Sequence, residues 1–540
     1  MLNKAKSMKG CKFESRHEGW KLMTALIAAV CLLLISAAVR SEPGYSMNLS
    51  DQQITRAVDH ALLTDSALLN NMIDTMVNDG IVTLSGTANN LMTKERASRI
   101  AQTIRGVRGV VNMIALQTPS RSDEEIRKNV VEALLYDAAT DSYELKPEVK
   151  DGVVTLDGTV QSYREKQLAV YVAKSVKGVK EVNDNIVLDS KSERPDEQIV
   201  ADVRSVIDND VWLTNSFIAT DVKDGVVTLT GTVGSAAQHN RASMLAWTAG
   251  VKSVNAERLN VEPWAQSIDQ RKKAVATDDR QIEQAVHDAF VYDPRVYSLN
   301  PSVDVDKGVV TLTGVVDSLK ARRAAEQDAR NTIGVWRVKN LLKVRPSKSI
   351  PDDILSRNVD SALQRDPFVD SYKIGVNAKN GAITLTGVVD SYYEKAQAED
   401  IASRAEGVLN VKNNLTVSYP SLVYHDLSYE PYWIDTPFYS YWDDYRPLYS
   451  SYISDAEIQA DIEDKMFWSP FVDLIDITVK VTNGAATLTG KANSWLEFKK
   501  ATEHAYEGGA SQVYNNIAVS YHEFGTGNDT DIKNEISRAK

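Results

Sequence analysis

The sequence predicts an α+β fold: a tandem array of six small αββαβ sandwiches, each a three-stranded sheet with two helices on one face, arranged as beads on a string. Three regularities predict it. A pair of glycines six residues apart recurs six times, an apolar helical stripe precedes each pair, and an alanine follows each pair at a fixed distance. The pairs are Gly80 and Gly86, Gly152 and Gly158, Gly225 and Gly231, Gly308 and Gly314, Gly381 and Gly387, and Gly484 and Gly490. A repeated domain without a catalytic constellation points towards multivalent binding.

The first element is a helix. Residues 26, 22 and 18 positions before each first glycine are apolar in every copy, as in Ile54/Val58/Leu62 and Leu355/Val359/Leu363. A spacing of i, i+4, i+8 is one stripe of an amphipathic helix. An aspartate stands just ahead of the stripe in each copy: Asp51, Asp123, Asp196, Asp279, Asp352 and Asp455. There a carboxylate meets the positive end of the helix dipole. Ser122 with Glu125, and Ser454 with Glu457, have capping-box spacing.

Two strands follow. Asp224-Gly225-Val226-Val227-Thr228-Leu229-Thr230-Gly231 shows the pattern most plainly. An Asp-Gly or Asn-Gly pair supplies the positive φ angles of a tight hairpin turn, and the alternating β-branched run after it suits a half-buried strand. The twelve glycines are therefore structural hairpin residues rather than ligand contacts.

A second helix carries Ala97, Ala169, Ala242, Ala325, Ala398 and Ala501, each seventeen residues after a first glycine. A small side chain recurring at one place lets a helix lie close on a sheet. Gly106, Gly178, Gly250, Gly334 and Gly407 end these helices, each followed by valine and a short third strand such as Val411, Asn413, Leu415, Val417. In the last copy Gly508-Gly509-Ala510 replaces the Gly-Val step, and its third strand is expected to start differently.

The order of elements, the Asp-led first helix, the D/N-G-x-x-T-L-x-G hairpin and the closing G-V-x-x-V-x-N segment (Gly334, Val335, Val338 and Asn340) resemble the BON domain, named for bacterial OsmY and nodulation proteins. The resemblance places repeats at 50–118, 122–189, 195–262, 278–346, 351–418 and 454–520. Residues 1–38 form a targeting segment, 419–453 a Tyr/Trp-rich linker and 521–540 a polar tail. The first glycines lie 72, 73, 83, 73 and 103 residues apart, so most linkers are only a few residues long.

Lys4, Lys6, Lys9, Lys12, Arg16 and Lys21 precede an uncharged apolar run from Leu22 to Val39 that ends near Ser36, Ala37 and Ala38. This reads either as a signal peptide cleaved after Ala38 or as an uncleaved N-terminal inner-membrane anchor. Both readings put the body outside the cytoplasm, in the periplasm. The two cysteines, Cys11 and Cys31, lie in this segment, so the remaining body has no disulfide and no thiolate metal site.

Charge limits the partners. The chain carries 61 basic and 73 acidic residues, net −12, and without the six basic and two acidic residues of positions 1–38 the body stands at −16. Such a body is expected to repel nucleic acid and, on average, anionic membrane surfaces. Basic residues still cluster, as Arg96, Arg99, Arg105 and Arg108 in copy one and Lys320, Arg322, Arg323 and Arg330 in copy four. They read either as solvated helix surface or as a lipid head-group contact.

The linker from Tyr419 to Tyr452 holds twelve of the chain's forty aromatics, with Pro431, Pro437 and Pro447 breaking any helix. Trp433, Tyr439, Tyr441, Trp442 and Tyr445 are the candidate interaction surface. The alternatives are an arm packed over neighbouring domains, an interfacial membrane contact, or a sticky surface for glycans or unfolded chains. No catalytic residue, cofactor, metal or small-molecule substrate is predicted. The seven histidines are scattered without ligand spacing, and no phosphate loop or dinucleotide fingerprint appears.

The BON resemblance implies a non-enzymatic envelope protein that binds phospholipid surfaces or envelope proteins and supports envelope integrity or osmotic-stress tolerance. The alternative is a periplasmic holdase-type chaperone or protein-binding scaffold. Six weak sites in series suit both.

Overall fold

A computed structural model describes residues 49–519, apart from 418–453, 266–277 and a few shorter stretches. Each unit runs helix, strand, strand, helix, strand. In unit five these are Asp352–Arg365, Ile374–Lys379, Ala382–Val389, Tyr392–Arg404 and Asn410–Val417. The second strand is central, antiparallel to the first with Val376 opposite Leu385, and parallel to the third with Leu385 opposite Asn413. Both helices cover the same sheet face, where Leu355, Val359, Leu363, Ile383, Leu385, Ala398 and Leu415 make the core.

The stripe and the alanine behave as their spacing requires. The three stripe residues of every unit are buried, and the six alanines are fully inaccessible. A side chain larger than methyl at the alanine position lifts the helix off the sheet. Each second helix also starts on a side-chain cap ten residues after the first glycine: Asn90, Ser162, Ser235, Ser318, Ser391 and Ser494. Of the two capping boxes expected, Ser454–Glu457 closes in both directions. Ser122 accepts from Glu125, whose own carboxylate turns to Arg121.

The hairpin turn is type I′, with φ +52° at Asn380 and +75° at Gly381. Unit four places Lys307 in the same left-handed conformation at +50°, a cost that Asp or Asn carries more easily. The second glycine has a different role. A Cβ on Gly231 would lie 1.9 Å from the carbonyl oxygen of Phe217 on the paired strand, so only glycine fits. Gly314 is the exception, with its nearest neighbour 3.8 Å away at Pro301.

The asparagine near the end of the motif ties the third strand to the second helix. Asn340 Nδ2 donates to the Arg322 carbonyl at 2.9 Å, while its Oδ1 accepts from the Leu342 amide at 3.2 Å. Asn112, Asn413 and Asn515 repeat both bonds. In the last unit the third strand keeps the common register, Ala485 opposite Gln512 as Ala382 is opposite Asn410. The expected change of start does not occur, because the missing residue is taken from the loop after Gly508.

Each unit has its own core, but the beads touch rather than hang apart, and a seventh cluster joins Val211, Trp212 and Ala237 of unit three to Leu496 of unit six. Units one and six, two and five, and three and four pair through the same backbone bonds. Arg105 N donates to Trp468 O at 2.9 Å, Lys177 N to Arg365 O at 2.8 Å, and Ile333 N to Asn209 O at 2.9 Å. A second kind of seam uses the first residue of the second helix in units one, two, three, four and six. Leu91 of unit one enters the core of unit two. Tyr163 of unit two stacks on Trp247 of unit three at 3.7 Å. Ala236 of unit three enters unit one. Units one to three thus close a cycle. Leu319 of unit four packs into unit five, and Trp495 of unit six lies 4.7 Å beneath the Arg330 guanidinium of unit four.

Candidate functional site

The six aspartates that open the first helices reach back to the hairpins. In every unit one carboxylate oxygen accepts from the amide of the first glycine and the other from the amide before it, at 2.7 to 3.1 Å. The residue read as a helix-dipole partner is therefore also the clamp on the turn. The predicted glycines occupy these turns and strand crossings. Trp433, Tyr439, Tyr441, Trp442 and Tyr445 lie outside the described residues.

The basic clusters correct the sequence reading: several of their members are neither solvated surface nor lipid contact. Arg96 is 2% exposed and its Nε donates to Asp65 Oδ1 at 2.9 Å. Arg105 Nη2 donates to Ser469 O of unit six at 2.9 Å. Lys320 Nζ donates to Asp400 Oδ1 of unit five at 2.6 Å, and Arg323 to Glu399 at 2.7 Å. The signal that would have found them is a second aspartate series fifteen residues before the first glycine, Asp65, Asp137, Asp210, Asp293 and Asp366, buried in every case.

Two aspartates of that series meet an arginine at the same position of the second helix, and others are partnered differently. Asp65 faces Arg96, Asp210 faces Arg241 and Asp366 faces Gln397, while Asp293 turns to the nearby Arg295. Burial opposes the charge of Asp293, but Arg295 outweighs it and holds the carboxyl low. Burial and the adjacent Asp293 push Asp328 well above the carboxylate range. Burial likewise raises Asp137 and lowers the Lys320 ammonium to about 7, while Arg404 helps keep Asp400 ionised.

These seams leave two small cavities of about 60 Å³. One lies between units one and six, lined by His60, Asp464, His504 and Glu507 among others, and one between units two and five. In the first, burial opposes the charge of Glu507, but the His504 imidazole 2.9 Å away outweighs it, and the carboxyl falls to about 2. Among the described residues no group of three or more His, Cys, Asp or Glu is arranged to hold a metal. No helix among them is long and apolar enough to cross a membrane.

What the array presents outward is its open sheet faces. Most of them are polar, as with Glu144, Lys146, Glu148 and Lys150 in unit two and Thr478, Lys480 and Thr482 in unit six. Unit one differs: Met72, Met76 and Met113 are 76%, 66% and 66% exposed, beside exposed Ile81 and Val111.

A six-fold tandem of self-contained αββαβ units with buried ionic seams defines a modular α+β repeat protein. The family model for the BON domain matches residues 50–118, 122–190, 195–263, 278–346, 351–419 and 454–521, and the chain belongs to that family. It is 32% identical over 169 residues to osmotically-inducible protein Y of Escherichia coli K12, an alignment covering 30% of this chain and 84% of that protein. Two structures of CdsD, a structural protein of the type III secretion system of Chlamydia trachomatis, match at 14% and 13% identity. They cover 37% and 40% of this chain and 88% and 100% of theirs, each with a TM-score of 0.11.

Proposed function

We propose that this chain is an exported, non-catalytic envelope protein that binds phospholipid surfaces and supports envelope integrity under osmotic stress. The observation that carries the reading is the array itself: many units of one family hold their sheet faces open while spending their helix faces on each other. A relative named for osmotic inducibility and the apolar run from Leu22 to Val39 support the stress context and the export. Because the units touch, multivalency depends on which faces lie on one side of the body, not on six independently swinging sites.

Flotation of residues 40–540 with liposomes of defined head groups tests the proposal. Co-flotation with at least one lipid composition is expected. Failure to float with any lipid, together with suppression of aggregation of an unfolded client, would replace it with the chaperone reading.

A further inference from the structure

We propose that the outer sheet face of unit one, built from Met72, Met76, Ile81, Val111 and Met113, docks on a phospholipid bilayer through apolar contact rather than charge. The proposal rests on the lipid reading above and assigns it a face. In the sheet register Met76 and Val111 flank Thr83, and Met72 lies opposite Thr87 on the same face. The exposed Asp74, opposite Ser85, stands between the two methionines, so the apolar residues surround one carboxylate that must stay at the headgroup level. Strand alternation points the neighbours Ile73, Val77, Val82 and Val110 into the core, so the exposed residues are not core side chains turned out.

The other faces show that the fold does not require this. Four residues before its first glycine, unit six has Lys480 and unit two has Glu148 where unit one has Met76. Methionine is flexible and polarizable, suited to a surface without fixed shape. Unit one is also the unit nearest the apolar run ending at Val39. Nine residues link that run to Leu49, a reach of at most about 35 Å. A body at −16 gains nothing from an anionic surface on average, so apolar area is the available driving force. A second copy is a poorer occupant. Three strands over about five residues present roughly 250 Å², well short of the roughly 800 Å² per partner of a stable interface.

The test uses residues 40–540, which keep all seven hydrophobic clusters and contain no cysteine. Met76→Cys is labelled with an environment-sensitive nitrobenzoxadiazole probe, and Lys480→Cys at the matching position of unit six is the control. With phosphatidylcholine–phosphatidylethanolamine vesicles, the probe at 76 is expected to brighten at least twofold and shift blue, with little change between 50 and 500 mM salt. The control stays unchanged. Met72→Thr/Met76→Thr/Met113→Thr together is expected to cut the floated fraction at least fivefold with an unaltered melting temperature.

Undiminished flotation of the triple variant overturns the assignment while leaving lipid binding intact. So does a probe at 76 that is already blue-shifted without vesicles, which would mean that residues 419–453 or a second copy occupy the face. Binding lost at high salt overturns it in favour of a charged contact. A wild-type body that floats with no lipid removes the parent reading as well.

Discussion

Asp352 holds the hairpin of unit five shut: its Oδ1 accepts from Gly381 N at 3.1 Å and its Oδ2 from Asn380 N at 2.8 Å. The bonds join the start of the first helix to a turn 28 and 29 residues later, which makes each unit a closed loop before its second helix is added.

Those bonds, Gly381 first, hold the Asp352 carboxyl below its ordinary value. A folded value below the unfolded one adds stability that is fully present above the unfolded value of about 4 and is lost as pH falls through the folded value. Asp352→Ala should therefore lower the urea midpoint at pH 6, and the gap from wild type should narrow below pH 4. A pH-independent gap would show that the charge is not what binds the turn.

Gly231→Ala should be among the most damaging single changes, costing more than about 3 kcal/mol, because its Cβ collides with the Phe217 carbonyl. Gly314→Ala makes only ordinary van der Waals contacts and should cost only the strain of its positive φ, about 1–3 kcal/mol. Urea denaturation of the two variants side by side makes the comparison.

Removing one partner of a buried pair leaves the other charge stranded. Arg96→Met should cost about 3–5 kcal/mol through the uncompensated Asp65. Adding Asp65→Asn to it should recover more than half of the loss, as read by the urea midpoint of the double variant.

Lys320, lowered by burial to about 7, gives the fold a rising pH dependence. Between that value and about 10.4 the unfolded chain binds the extra proton, so this contribution to stability grows with pH across the window. Lys320→Met should flatten the slope of stability against pH between 7 and 10, measured by thermal melts at constant ionic strength.

The seams predict a compact particle. A single body of the size of residues 49–519 has a radius of gyration of about 23 Å, and small-angle scattering of residues 40–540 checks it. A value approaching that of an extended string would contradict the contacts at Arg105–Trp468 and Tyr163–Trp247.

Much of each unit was legible from periodicity, since helix stripe, type I′ turn and sheet-facing alanine are local patterns that six copies repeat. The clamp was half legible: Asp352 stands at a fixed position, but its partners are 28 and 29 residues away and no local rule names them. The seams were not legible. The position sixteen residues after the first glycine is Arg96, Leu168, Arg241, Ala324, Gln397 and Lys500 in turn, and such variation looks like surface until the neighbours are known.

The sequence by itself determined the six units, their cores and their family, because backbone conformation and burial within about 65 residues follow from residue type and spacing. Only the tertiary structure decided which basic residues are buried, that unit one meets units three and six, and that no described residue covers the methionine face. Those outcomes depend on pairing between residues as far apart as Arg105 and Ser469, where the free energy belongs to the pair and neither residue carries it alone.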